Sequence, residues 1–162
     1  MDTNFLKEVE LFEKLNEDEL EIIAAKMKTS SYKKDDFIIQ EGSTGDELFI
    51  LHNGTVRIYK KMTMIDEDKA HDKTFIQLTE ADHPFFGEIG LLGEQKRTAN
   101  VIAYSDCQLY KLNHPDFMKI ANKNPEIGFK LIFAIANKLS RLVEKTNHDI
   151  LKLTTALIYA LK

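Results

Sequence analysis

Residues 85–101 read FFGEIGLLGEQKRTANV and combine three glycines, a carboxylate and an arginine between two apolar runs. A loop that only joins two strands does not need so many special residues. Gly87 follows a strand-like run and precedes a segment that can form a short helical turn. Amide groups at the start of such a turn have no partner within the helix, which suits an anion. The stretch therefore predicts a binding loop rather than a simple connection.

Two charged side chains in this stretch, Glu88 and Arg97, indicate the chemistry of a ligand. Arginine offers a fork of donors that matches the paired oxygens of a phosphate, and Thr98 adds a hydroxyl donor beside it. An ionised Glu88 can only accept hydrogen bonds, so beside an anion it needs a donor such as a hydroxyl group. A phosphate with a free hydroxyl nearby is typical of a ribose phosphate. The residues alone leave a second interpretation open, in which Glu88 and Arg97 pair with each other on the surface.

On both sides of this loop, short runs alternate apolar and polar residues, as half-buried strands do. Glycine-marked turns separate the runs, and Asn53-Gly54 is the strongest hairpin signal. A further pair of strands is expected around Ser105-Asp106. Residues 62–73 are polar and charged, which predicts an exposed, mobile loop. Seven or eight short antiparallel strands at this spacing predict a mainly β fold, a small barrel or sandwich, with flanking helices.

Helical patterns stand at both ends of the chain. Asn16 is a good N-cap, and Glu19 completes a capping box before an apolar helical face. Pro115 stands in the first turn of a second helix, where its missing N–H costs little. Pro125 opens a third helical stretch that continues to the C-terminus.

The stretch at 125–162 carries an apolar seam in heptad spacing with one inserted step. The seam consists of Ile132, Ile135, Leu139, Leu142, Thr146, Ile150, Leu153, Leu157 and Ala160. A single helix of this length would extend about 50 Å, which is longer than a small barrel can cover. A second copy is the simplest partner for the remainder, so a homodimer through residues 125–162 is expected. The alternative is a bent helix, or two helices folded back on one barrel.

The binding loop resembles the phosphate-binding cassette of cyclic nucleotide-binding domains. That cassette reads roughly F-G-E-[L/I]-[A/G]-L-[L/I/M], then a few residues, then [P]-R-[A/S/T]-A. The matching residues are Phe86, Gly87, Glu88, Ile89, Gly90, Leu91, Leu92, Arg97, Thr98 and Ala99. EGSTGDELFILHNGTVRIYK is similar to the hairpins of this family, and LFEKLNEDELEIIAAKM to its N-terminal helix. The resemblance implies an antiparallel, jelly-roll-like β-roll (a double-stranded β-helix) with an N-terminal helix and a long C-terminal helix.

The resemblance also implies roles for the cassette residues. Arg97 would bind the exocyclic oxygens of a cyclic phosphate, and Glu88 would accept a hydrogen bond from the ribose 2′-hydroxyl. The rest of the cradle would come from Gly87, Ile89, Thr98 and Ala99. The implied ligand is cAMP or cGMP, because family members with a threonine at this position prefer either one.

Two further points follow from the resemblance. The base would lie between the roll and the long helix, where Thr146 and Asn147 are candidate contacts that depend on the dimer geometry. Lys96 departs from the family pattern, because many members have a proline there that would stiffen the chain before the arginine. A looser cradle is therefore expected.

Composition narrows the classes of function. The net charge of −4 gives no sign of the basic face that duplex nucleic acid requires. The N-terminus lacks an apolar signal core and no long apolar window exists, so no membrane span and a cytoplasmic location are expected. The histidines form no H-x-H pair, so no metal site is expected, and His52 remains the alternative as a haem ligand. Nucleophile-elbow and phosphate-loop motifs are missing, so the chain is not expected to be an enzyme.

The sequence therefore predicts a single-domain cyclic nucleotide sensor. Residues 1–124 would form the roll with its helices, and residues 125–162 the dimerisation helix. Ligand binding would shift a population of helix positions at a hinge near Pro115 and act on an unknown downstream protein partner. Two alternatives remain: a ligand-free dimeric interaction module, or a truncated part of a transcription regulator. Too few residues follow the long helix for a helix-turn-helix domain, so DNA binding is expected only under the second alternative.

Overall fold

The computed structural model describes residues 2–61 and 72–161. These residues form five α-helices: α1 Thr3–Lys7, α2 Glu17–Ala24, α3 Glu88–Leu91, α4 His114–Lys123 and α5 Pro125–Ala160. They also form ten β-strands: β1 Lys28–Tyr32, β2 Phe37–Ile39, β3 Thr44–Gly45, β4 Glu47–Asn53, β5 Thr55–Lys61, β6 Asp72–Thr79, β7 Phe85–Phe86, β8 Gln95–Lys96, β9 Asn100–Ala103 and β10 Cys107–Asn113. Short 3₁₀ turns follow α1 and β6, at Glu10–Phe12 and Glu80–Asp82.

Eight of these strands form two four-stranded antiparallel sheets. The strand order is β1-β10-β4-β7 in the first sheet and β2-β9-β5-β6 in the second. The remaining strands, β3 and β8, pair with each other in a short separate ladder. Two antiparallel sheets stacked in this way form a jelly-roll-like β-roll. The predicted fold class, mainly β with flanking helices, is confirmed.

Strand β4 explains why the layers stack. Its residues Leu48 and Ile50 pack against the helices, while Phe49 and Leu51 pack against the second sheet. Successive side chains of a strand point to opposite faces, so an uninterrupted apolar run is buried on both sides. The first sheet is therefore the middle layer between the helices and the second sheet.

The hairpin predicted at Asn53-Gly54 is wrong, because β4 and β5 belong to different sheets. The chain turns a corner there, and Gly54 has a φ of 97°. A second corner, at Ser105 and Asp106, joins β9 to β10 in the same way. The two corners touch, because a Cβ on Gly54 would collide with the Asp106 carbonyl oxygen and the Thr55 amide donates to Ser105 Oγ at 3.0 Å. Local turn signals are correct here, but the pairing partners are not.

The loop predicted for residues 62–73 falls mostly on residues 62–71, which lie outside the described part of the chain. Residues 72 and 73 belong to β6, the strand that the sequence DKTFIQLT predicts. None of the described helices is long and apolar enough to cross a membrane.

The helices cover the outer face of the first sheet. Helix α2 begins with the predicted capping box: Asn16 Oδ1 accepts from the Glu19 amide at 3.0 Å, and Glu19 Oε2 accepts from the Asn16 amide at 2.8 Å. Helices α4 and α5 cross closely, because a Cβ on Gly128 would lie 2.7 Å from the Ala121 Cβ. Pro125 stands in the first turn of α5. An N–H at this position has no partner within the helix, so its absence in proline costs little.

Helix α5 has two halves with different surroundings. Ile127, Leu131 and Ile135 are buried in the core that the helices share with the first sheet. Every residue from Ser140 to Leu161 is exposed, over a length of about 33 Å. The predicted long C-terminal helix is confirmed, and the alternative of two helices folded back is wrong. The seam therefore has two parts: Ile135 near its start belongs to the chain's own core, and the residues after Ser140 are exposed.

Candidate functional site

A cavity of about 450 Å³ lies between the second sheet, the loop around α3 and the middle of α5. This volume is typical of a small-molecule site. Polar groups come from the loop at 85–101, from α5 and from Glu10, Asp82 and His83. The inner wall is apolar and is formed by strands of both sheets, with Ile39, Ile58, Leu78, Phe86 and Val101.

Arg97 reaches the cavity through space that three glycines leave open. A Cβ on Gly45 would lie 2.5 Å from Arg97 Nε and 2.6 Å from Nη2, while one on Gly87 or Gly90 would lie 3.0 or 2.8 Å from Nη1. Nη1 donates to the carbonyl oxygens of Glu47 at 2.9 Å and Gly87 at 3.3 Å. Both of these hydrogen bonds use Nη1. Within the described residues, the edge formed by Nε and Nη2 therefore remains for the paired oxygens of an anion.

The backbone of Arg97 is fixed by the loop between β2 and β3. The Arg97 amide donates to the Ser43 carbonyl at 2.8 Å, and the Arg97 carbonyl accepts from the Gly42 amide at 2.9 Å. Burial lowers the pKa of the guanidinium, while the carboxylates of Glu47 and Asp46 act in the opposite direction. The cation is thus held in place before any ligand arrives, in surroundings where a charge-assisted hydrogen bond is strong.

Glu88 lines the same cavity but does not pair with Arg97. Its side chain is 11% exposed, and its Oε2 accepts from Lys138 Nζ at 3.4 Å. Lys138 also donates to the Phe85 carbonyl oxygen, and its ammonium lies 3.8 Å from the centre of the Phe85 ring. The interpretation as a Glu88–Arg97 surface ion pair is therefore wrong for this structure. A buried acceptor and a buried cation face the cavity separately.

The other predicted cassette residues lie around the same cavity. Gly87 precedes α3 with a φ of 73°, a left-handed conformation that glycine adopts without steric cost. Ile89, Thr98 and Ala99 also line the cavity. The structure thus brings these four residues together with Glu88 and Arg97, and their roles toward a ligand stay predictions.

Lys96, which stands where many family members have proline, lies in β8. Its backbone pairs with that of Thr44 in β3, just before Arg97. The ladder restrains the part of the backbone that a proline would stiffen. The Lys96 side chain is exposed at the edge of the cavity, where it adds a third cation to Arg97 and Lys138.

Thr146 and Asn147 are not brought to the cavity. Both are exposed on the projecting half of α5, and Thr146 Oγ1 donates back to the Leu142 carbonyl at 2.8 Å. Helix α5 contributes Lys138 and Leu142 instead, because it leaves the roll soon afterwards. A contact from Thr146 or Asn147 to a ligand would require a second chain, and it stays a prediction.

Two residues of this site were missed by the sequence reasoning. Lys138 stands between Ile135 and Leu142 on the predicted apolar face of α5, and a cation at such a position is a signal for a buried partner. Gly45 lies in the segment EGSTGDE, whose glycines indicate only a tight turn. Nothing in its local sequence indicates that it faces Arg97.

His52, the alternative haem ligand, lies in an aromatic cluster away from the cavity. Its ring centre lies 4.6 Å from that of Phe5 and 4.7 Å from that of Tyr110. The two rings pack against the imidazole, and His52 does not line the cavity. In the part of the chain that the structure describes, no group of three or more His, Cys, Asp or Glu side chains could hold a metal ion.

Similar proteins share this fold and this segment. The cGMP-dependent protein kinase isozyme 1 of Drosophila melanogaster is 37% identical over 102 residues, which are 63% of this chain and 13% of the kinase. The structure of cAMP-bound PfPKA-R is 33% identical with a TM-score of 0.59 and covers 73% of this chain and 39% of that one. The Thermus thermophilus catabolite activator protein has the same fold, with a TM-score of 0.76 at 22% identity, covering 90% of this chain and 63% of that one.

These relatives match over a limited part of their own length. The chain spans between 9% and 15% of the cGMP-dependent protein kinases that it matches in fly and worm. The sequence profile of the cyclic nucleotide-binding domain matches residues 29–124, so the chain belongs to the cyclic nucleotide-binding domain family.

Proposed function

We propose that this chain is a sensor that binds cAMP or cGMP and transmits its occupancy through α5. One observation carries the proposal: Arg97, whose Nε and Nη2 make no hydrogen bond among the described residues, and the buried acceptor Glu88 line the same cavity. A cyclic nucleotide offers a phosphate to the first group and a ribose hydroxyl to the second. The names of the relatives, a cGMP-dependent kinase and a cAMP-bound regulatory chain, support the same ligand class.

Helix α5 is the proposed output element because it forms part of the cavity wall through Lys138 and Leu142. A ligand that contacts both the cassette and these side chains stabilises one position of the helix over others. Such a ligand shifts the equilibrium between two positions of α5. The size of the shift is set by the difference between the ligand's affinities for the two states. The proposed hinge lies at the start of α4, near Pro115.

The projecting half of α5 is the proposed dimerisation surface. Its apolar residues are well exposed, with Leu153 at 71% and Leu157 at 60%. Soluble proteins rarely leave a continuous apolar strip uncovered, so a second copy is the proposed cover, and the paired helices would face a downstream protein partner. A cytoplasmic location is part of this proposal.

Titration calorimetry with cAMP and with cGMP tests the proposed ligand. Arg97→Ala removes the phosphate fork, and we expect it to cost about 2–4 kcal/mol of binding free energy, or roughly a thirtyfold to several-hundredfold loss of affinity. Arg57→Ala is the matched control, because Arg57 lies against the Tyr104 ring on the second sheet and does not line the cavity. The sensor function is wrong if the wild-type chain binds neither nucleotide at millimolar concentration.

A second candidate function is a ligand-free dimeric module, in which the same fold serves only for association. The exposure of α5 from Ser140 onward favours it, because that surface does not depend on the cavity. The same titration separates the two candidates. A dimer that binds neither nucleotide supports the module, and nucleotide binding that Arg97→Ala weakens supports the sensor.

A further inference from the structure

Lys138 places its ammonium between α5 and the cassette. The side chain is 23% exposed, and it donates to the Phe85 carbonyl oxygen as well as to Glu88 Oε2. The ammonium also lies over the Phe85 ring at 3.8 Å from its centre, which is a favourable cation–π distance. Three separate interactions thus fix one cation at the edge of the cavity.

This cation leaves one carboxylate oxygen of Glu88 for a ligand. Lys138 contacts Oε2, and no hydrogen bond to Oε1 occurs among the described residues. Because the carbonyl and the ring of Phe85 hold Lys138 independently of Glu88, a hydroxyl group can donate to Oε1 without displacing the ammonium. The contact with the ammonium holds the Glu88 carboxylate at the cavity, where it can accept a charge-assisted hydrogen bond from a hydroxyl.

The other cations of α5 that form ion pairs contact the N-terminal segment instead. Lys130 pairs with Glu19 of α2 at 2.7 Å, and Arg141 pairs with Glu10. Glu10 also lines the cavity, but Lys138 is different from both, because its carboxylate partner belongs to the cassette. Its contact with Glu88 therefore joins the helix to the group that the ribose would use.

We propose that Lys138 is a positioning residue that orients Glu88 for the ribose 2′-hydroxyl of the bound nucleotide. This inference rests on the proposed function, because it requires a cyclic nucleotide in the cavity. It assigns the specificity for ribose over deoxyribose to a pair of residues, one of which belongs to α5. Nucleotide contacts at the phosphate and the base do not depend on this pair.

The test compares each cyclic nucleotide with its 2′-deoxy analogue by calorimetry. The wild-type chain is expected to bind the ribonucleotide about tenfold more tightly, the worth of one hydrogen bond to a charged acceptor. Lys138→Met is expected to reduce this ratio to within threefold, and Lys138→Arg to restore most of it. Using the ratio cancels any general attraction between Lys138 and the phosphate, which both nucleotides share.

Lys130→Met is the matched control. Lys130 and Lys138 lie on the same helix with 21% and 23% exposed side chains, and their carboxylate partners, Glu19 and Glu88, are both 11% exposed. Lys138→Met therefore removes the ion pair with Glu88, and Lys130→Met removes a similarly buried pair with Glu19 together with an exposed one with Glu126. Only Lys138→Met is expected to change the ratio of ribonucleotide to deoxynucleotide affinity, while thermal unfolding reports the stability of both variants.

A measurement on the wild-type chain covers the case in which Lys138→Met does not fold. Burial, and to a smaller extent the charge of Arg141, lower the pKa of the Lys138 ammonium below its ordinary value of 10.5, against the opposing effects of Glu88 and Glu10. The affinity ratio is therefore expected to fall as the pH is raised toward 10.5, because the neutral amine orients Glu88 less well. The ionisation of the base is the same for both nucleotides and cancels in the ratio.

The outcomes separate this inference from the proposed function. If the wild-type chain binds no cyclic nucleotide, the proposed function fails. If it binds, but Lys138→Met keeps the wild-type ratio or the ratio does not depend on pH, the positioning role alone is overturned. A variant that binds the ribonucleotide more tightly than the wild type would also overturn it, because Lys138 would then compete with the ribose.

Discussion

Arg97 shows how much of a binding site is determined by residues that carry no functional group. Its guanidinium lies where side chains at Gly45, Gly87 and Gly90 would otherwise stand. Two backbone carbonyl oxygens orient Nη1, while Nε and Nη2 make no hydrogen bond among the described residues. A bidentate contact requires one particular orientation of the guanidinium. The glycines contribute to affinity because they leave room for that orientation.

Gly45→Ala is expected to weaken nucleotide binding without unfolding the chain. Its methyl group would lie 2.5 Å from Arg97 Nε, and the flexible side chain would move away at little cost in stability. The displaced fork would lose part of its phosphate contact, so calorimetry is expected to show a loss of about tenfold or more.

Gly42→Ala is the control for this substitution and is expected to lower stability without weakening nucleotide binding. Gly42 has a φ of 80°, so alanine there is strained, but no atom lies within 4 Å of its Cβ. The free energy of unfolding should fall by about 1–2 kcal/mol while the affinity changes little. Unchanged affinity in Gly45→Ala would show that the fork does not depend on this open space.

At this scale, the sequence predicts a residue well when its own chemistry indicates its partner. Glu88 and Arg97 could be assigned to one ligand because a carboxylate beside an anion site needs a donor. Lys138 could not be assigned in this way, because its contact with Glu88 depends on how α5 crosses the roll. Thr146 and Asn147 show the same limit, since a position on a helix face does not indicate where the helix leaves the roll.

Among the elements, the corners of the β-roll show what local turn signals can and cannot predict. Asn53-Gly54 does mark a tight turn, and Gly54 does have a positive φ. The signal does not say whether the next strand returns beside the previous one or crosses to the facing sheet. Two sheets with shared corners result, because β4 is apolar on both faces and needs a layer on each side.

The contact between α2 and α5 combines a local signal with a distant one. Glu19 completes the capping box of α2 and also accepts two hydrogen bonds from Lys130, at 2.7 and 2.9 Å. The sequence predicts the cap, because its partners are three residues apart. The ion pair with α5 joins residues that are 111 positions apart, and it appears only in the fold.

Glu19→Gln is expected to remove an acid-sensitive part of the stability. Burial alone would raise the pKa of Glu19, but the hydrogen bonds from Lys130 and the Asn16 amide outweigh it, so this pKa lies below its ordinary value of 4.5. The stabilisation is therefore present above pH 4.5 and is lost as the pH falls through the lower, folded-state value.

Urea unfolding between pH 3 and 7 measures this effect. The wild type is expected to exceed Glu19→Gln by about 1–2 kcal/mol near pH 7, and the difference should shrink below pH 4.5. Glutamine also suits the capping box, so the substitution tests the charge alone. Glu126→Gln, whose 75% exposed carboxylate also contacts Lys130, should show little difference at any pH. A constant difference across this range would contradict the assignment.

For the whole molecule, the length of α5 is the feature that the roll does not explain. Its first half completes the core, and the second half, from Ser140 to Leu161, is exposed over about 33 Å. The projecting half still follows the apolar seam that the sequence predicts. A position that is exposed in one chain and apolar in sequence is where a second chain would contribute most.

Leu153→Glu with Leu157→Glu is expected to convert a dimer into a folded monomer. Both side chains are more than half exposed in the single chain, at 71% and 60%, so the charges cost the roll little. In a helix pair, the same charges would be buried in the seam and unpaired, which is strongly unfavourable.

Sedimentation equilibrium of the full chain should give a dimer for the wild type and for Thr155→Glu, a control on the opposite face of the helix. It should give a monomer, with unchanged thermal unfolding, for the double variant. A wild-type chain that is monomeric at tens of micromolar, or a double variant that stays dimeric, would show that α5 is not the dimer interface.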